Sequence, residues 1–104
     1  TWGSLGGVID VDQDTYISAE DSPGGDNDEL KFVTLGNQHM IIDSSGNIGI
    51  STSNPSVKLH ISSTDGIVIP VGNTLERIDV TGAIRYNKET QQFEGYSASR
   101  NHIG

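Results

Sequence analysis

The sequence predicts an all-β fold of short strands and hairpins with little or no helix, stabilised by association of several copies. Three observations lead there. Val, Ile and Thr (7, 12 and 8 residues) outnumber Leu, Ala and Met (5, 3 and 1) by three to one. β-Branched side chains suit a pleated, half-buried surface better than a helix. Thirteen glycines supply places where the chain can turn with positive φ. Only six residues are aromatic, Trp2, Tyr16, Phe32, Tyr86, Phe93 and Tyr96, and cysteine is absent. A small chain without a staple and with few large side chains gains its stability most readily from other copies.

The elements follow in chain order. Residues 1–9, TWGSLGGVI, read as a Gly-rich connector into a first strand, with Thr15–Ala19 as a strand candidate. Asp21–Asp28, DSPGGDND, is dense in turn residues and reads as a loop. Leu30–Leu35 and Gln38–Asp43 read as strands joined by a primed two-residue turn at Gly36-Asn37. Ser44–Asn47 is a second turn, and Ile48-Gly49-Ile50 a third strand, which makes a meander. Val57-Lys58-Leu59-His60-Ile61 alternates with period two, so Val57, Leu59 and Ile61 share a face and His60 takes the other.

Ser62–Gly66 is a turn before the apolar run Ile67-Val68-Ile69, which Pro70 keeps out of a central ladder position. Thr74–Ile78 fits either a helical turn or an irregular connection. Ala83–Asn87 and Gln92–Tyr96 read as a hairpin across Lys88–Gln91, with Ile84 and Tyr86 on one strand and Phe93 and Tyr96 on the other. Residues 97–104 are polar and expected to fray or to lead into further chain. The organisation is one continuous segment: 1–29 connector and acidic loop, 30–61 meander, 62–104 hairpin and polar tail.

The net charge of −8 is local. Residues 10–29 hold Asp10, Asp12, Asp14, Glu20, Asp21, Asp26, Asp28 and Glu29 with no Lys or Arg, and the rest of the chain is balanced. Such a segment repels phosphates and anionic lipid, so neither nucleic acid nor a membrane is an expected partner. No apolar run reaches the length of about 18 residues that a spanning helix needs. Most charge runs of this kind are solvated loops.

Within it, Asp10, Asp12 and Asp14 are the candidate metal ligands, because carboxylates at alternate positions resemble the start of a calcium loop. In that frame Thr15 stands where glycine belongs and Asp21 where glutamate belongs. On a strand, the same three carboxylates would share one solvated face. No cofactor is otherwise expected. His39, His60 and His102 are far apart in sequence. Repeated round the axis of a trimer, His39 or His60 would provide a three-histidine site for an axial metal ion.

No catalytic residues are expected. The serines lack a Gly-x-Ser-x-Gly elbow, no glycine loop with Lys cradles phosphate, and an acidic loop alone does not make a glycosidase. Trp2, Tyr86, Phe93 and Tyr96 offer faces for sugars if exposed and are otherwise packing residues.

Residues 43–61, DSSGNIGISTSNPSVKLHI, resemble a recurring segment of bacteriophage tail fibres and related trimeric adhesins. Its usual form is Asp-x-x-Gly-Asn-(Ile/Val)-Gly-Ile, then Thr-x-x-Pro and Lys-Leu-His-hydrophobic. Asp43, Gly46, Asn47, Ile48, Gly49 and Ile50 match, as do Pro55, Lys58, Leu59, His60 and Ile61. Ser51 departs from it, standing where the usual form has glycine. Gly82–Asn87 through Phe93–Tyr96 resembles a second segment of such fibres, and the two stretches cover about a third of the chain.

The resemblance implies parallel homotrimers with little helix that link a virion to a host surface. Many members end in a self-cleaving chaperone domain with a serine–lysine pair; no stretch here matches it, so no catalytic residue carries over.

The expected architecture is therefore an elongated, intertwined all-β homotrimer. Ile48, Ile50, Leu59, Ile61, Ile67 and Ile69 are the expected trimer interior. The expected role is structural, in a tail or neck fibre on the virion, outside the cell. Expected partners are the chain itself, other tail or neck proteins and a host receptor or glycan. The alternative is a receptor- or carbohydrate-binding adhesin module, with calcium as its cofactor.

Overall fold

A computed structural model describes residues 8–97 and 101–103. The described chain is built of strands and one 3-10 turn, and it divides into two compact units, residues 1–64 and 65–104.

The first unit is a five-stranded sheet in sequence order: β1 (Tyr16–Ser18), β2 (Leu30–Thr34), β3 (Asn37–Ile42), β4 (Ile48–Ile50) and β5 (Leu59–Ile61). The first four pair antiparallel, and β5 pairs parallel to β4. The meander thus ends in a parallel strand, reached by a crossover of residues 51–58. Only Leu59–Ile61 of the alternating run is strand, and Val57 lies outside it, exposed.

Turn chemistry sets the register. The β2–β3 turn is Leu35-Gly36, one residue earlier than expected, with φ of +50° and +75°. A type I′ turn needs positive φ at both central positions, and glycine takes the second here. The tip is tied to the start of β1: Leu35 N–H donates to Thr15 Oγ1 (3.3 Å) and Gly36 N–H to the Asp14 carbonyl (2.7 Å). The β3–β4 turn is organised by Asp43, whose Oδ1 accepts from Ser45 N–H (3.0 Å) and Asn47 N–H (2.9 Å), with Gly46 at φ +84°.

The second unit is a four-stranded sheet: β6 (Val71–Gly72), β7 (Ile84–Asn87), β8 (Gln92–Ser97) and β9 (Asn101–Ile103), again in sequence order. β6 pairs parallel to β7, and the other pairs are antiparallel. Asn101–Ile103 corrects the expected frayed tail: it is a strand on β8. The ambiguous stretch is a 3-10 turn, Thr74–Glu76, closed by a reciprocal cap in which Glu76 N–H donates to Asn73 Oδ1 (3.1 Å) and Asn73 N–H to Glu76 Oε1 (2.8 Å). Ile67-Val68-Ile69 is not strand, although Pro70 contributes its carbonyl to Tyr86 N–H (2.9 Å) just ahead of the edge strand β6.

Candidate functional site

The register of the first sheet sorts its side chains into two kinds. Directly paired residues share a face. One row runs Leu30, Ile42, Ile48, Leu59, and the next runs Ile17, Phe32, Met40, Ile50, Ile61. Both rows lie on the same face, because their members alternate with a third row, Ser18, Lys31, Ile41, Gly49, His60, on the other. The first face therefore presents nine apolar side chains and no charge, and none of the nine is buried.

The opposite face is the one the chain covers itself. Ile41 is 1% exposed, beneath the 51–58 crossover. A Cβ on Gly49 would lie 2.5 Å from the Thr52 carbonyl oxygen and 3.1 Å from Ile41 Cγ2, so the crossover can close down only over glycine. Pro55 in the crossover is buried, and Ser56 N–H donates to His60 Nδ1 (3.2 Å).

Four of the six residues expected in a shared interior, Ile48, Ile50, Leu59 and Ile61, fall on the open apolar face together. Ile17, Leu30, Phe32, Met40 and Ile42 extend it, and the strand register was the signal that joins them. Ile67 and Ile69 lie in the second unit, outside any strand, Ile67 exposed and Ile69 half-buried. His60 faces away from the apolar rows, as its alternation predicts, and His39 shares the Ile41 face. An axis lined by the apolar rows would thus carry neither histidine. Trp2 lies outside the described residues.

The acidic segment borders the open face. A groove of about 410 Å³ is lined by Ala19, Leu30 and Ile42 together with the acidic Glu20, Asp26, Asp28, Glu29 and Asp43. Part of the charge is met locally: Lys31 pairs with Asp21, with Glu29 at 3.8 Å, and Glu20 Oε2 accepts from Gly24 N–H (2.8 Å).

Asp10, Asp12 and Asp14 do come together, on a turn and not on a strand. Gln13 adopts φ +66°, and its N–H donates to the Asp10 carbonyl (3.1 Å) while Thr15 N–H donates to Asp10 Oδ1 (3.1 Å). One carboxylate oxygen from each lies within 4.8 Å of the others. Oxygens across a calcium ion stand up to about 5 Å apart, so the spacing suits a hard cation.

The crowding also moves protons. Hydrogen bonding to Asp10 and Asp14 and the charge of Asp10 raise the Asp12 carboxyl above its ordinary value. Asp10 moves down: partial desolvation pushes it up, but the Thr15 N–H and hydrogen bonds with Asp12 and Asp14 outweigh that.

In the second unit the covered side of the sheet is polar. Glu94 is buried and bridges two arginines. Arg85 Nη1 donates to its Oε1 at 2.7 Å, Arg77 donates to both oxygens, and Asn87 Nδ2 donates to Oε2 at 3.1 Å. Arg85 also reaches the Asn73 carbonyl (2.8 Å), passing where a Cβ on Gly72 would lie 2.5 Å from its Nη2. The Arg77 hydrogen bonds, against the opposing effect of desolvation and helped by Asn87 and Arg85, hold the Glu94 carboxyl down at about 2. Sequence reasoning missed this cluster, which the strand register assembles by placing Arg85 opposite Glu94.

Comparison with protein-family models, curated proteins and solved structures finds no match to this chain. Among the described residues no helix is long and apolar enough to cross a membrane.

Proposed function

We propose that this chain is a structural segment of a trimeric viral tail or neck fibre, located on the virion and serving host attachment. One observation carries the association: nine uncharged apolar side chains fill one face of the first sheet and none is buried. Contiguous apolar surface of this kind marks an interface in a soluble protein. Closing three such faces round an axis would bury the rows and keep the acidic 19–29 segment at their rim. The number three, and the fibre itself, rest on the resemblance of residues 43–61 and 82–96 to trimeric fibre segments. In that setting the chain's work is shape and linkage, with other tail or neck proteins at its ends.

The test is the mass of the purified chain in dilute, non-denaturing solution. Native mass spectrometry should return three chains, and Leu59→Asp should abolish that species, since every copy would bury an unpaired carboxylate. A folded wild-type monomer would overturn the proposal and favour the receptor- or glycan-binding module.

A further inference from the structure

The second sheet is inside out. Its chain-covered side holds Arg85, Asn87 and Glu94, and its other side leaves Val71, Ile84 and Phe93 at 56, 60 and 68% exposure. Register puts Val71, Tyr86 and Phe93 in one row, with Ile84 and Gly95 in the next. Tyr86 and Phe93 meet edge to face, ring centroids 5.1 Å apart, so the patch is ordered before anything covers it.

We infer that this β6–β7–β8 face is a second self-association surface, occupied by the same face of another copy. The inference rests on the association proposed above, and two arguments select a copy over a different partner. First, the rows carry no charge although the chain has a net charge of −8, so like faces can meet without repulsion. Second, the patch is small. A few exposed side chains offer a few hundred Å² at most, whereas a free-standing complex buries about 800 Å² on each partner. A separate protein would not stay on such a patch. A copy already held through the first unit would, because its second unit arrives at an effective concentration in the millimolar range.

The chain lacks cysteine, so single thiols report on this directly. Phe93→Cys and Ile84→Cys place a thiol on the face; Leu75→Cys, 95% exposed on the 3-10 turn, is the control. Ile84→Cys keeps the Tyr86–Phe93 pair intact, which covers the case in which loss of the ring disrupts the patch. Each full-length variant is weighed in its native state, then oxidised mildly and run under denaturing conditions. The face variants should give about tenfold more covalent dimer than Leu75→Cys, unchanged by dilution, as tethered thiols require. Multimeric variants whose face thiols crosslink no more than Leu75→Cys would overturn this inference and leave the association standing. A monomeric wild-type chain would overturn both.

Discussion

The two sheets cover opposite kinds of side chain with their own loops. In the first unit the 51–58 crossover closes over Ile41, and the charge-free apolar rows stay open. In the second unit the 73–77 segment closes over Arg85, Asn87 and Glu94, and the apolar row again stays open. One loop buries Pro55 and packs tightly enough to demand Gly49; the other supplies Arg77, Asn73 and Thr74 as hydrogen-bonding partners. Alternation along a strand says which residues share a face. The chemistry of the covering loop decides which face is inward. Both units reach the same outcome by different routes, an uncovered apolar face, and that agreement is what the proposed association would explain.

The comparison breaks most sharply at Asn87. Its side chain is fully buried, donates to Glu94 and Thr74, and accepts from Glu89 N–H (2.9 Å) and Thr90 N–H (3.2 Å). Asn87→Ala takes the acceptor from the Glu89 and Thr90 N–H groups and one of several donors from Glu94, and should cost the second unit about 2–3 kcal/mol. Amide hydrogen exchange should show β7 and β8 opening more often while β2 and β3 keep their protection.

Acid separates the two units more gently. Glu94 is held at about 2 against an ordinary 4.5. A carboxyl lowered by folding contributes stability in full above its unfolded value and loses it as pH falls towards the folded one. Protection of β7 and β8 should therefore decline between pH 4.5 and about 2, and Glu94→Gln should weaken that dependence, Glu89 with its carboxyl lowered by the Thr74 N–H supplying the rest, while lowering the neutral-pH melting temperature.

The smallest effect tests the first unit alone. Ser51 has φ +61°, at the position where the segment it resembles has glycine. Ser51→Gly relieves a left-handed conformation at some entropic cost and should stabilise the first sheet by about 0.5 kcal/mol in urea titration.

Much of this was legible from the residues. The turn at 44–47 separates β3 from β4 where expected, the β2–β3 turn falls one residue earlier at Leu35-Gly36, and the β7–β8 hairpin lies within a residue of its expected strands. The misses have physical causes. Gln13 and Leu35 adopt positive φ without being glycine, so the acidic turn and the hairpin tip had no local signature. The Ile67–Ile69 run had the composition of a strand, yet Gly66 at φ +156° and Pro70, which has no N–H, bracket it. The polar side of the second sheet was hidden because Arg85, Asn87 and Glu94 read singly as surface residues. Only their register makes them one cluster.

In both sheets the order of strands in space is their order along the chain. Every pairing closes a short loop, which keeps contact order low and the entropic barrier small. Each sheet can form as soon as its own residues have left the ribosome, without waiting for distant sequence. In the proposed trimer, assembly would then be a matter of encounter between folded units, and its pace would follow the local abundance of the protein and not the speed at which one copy folds.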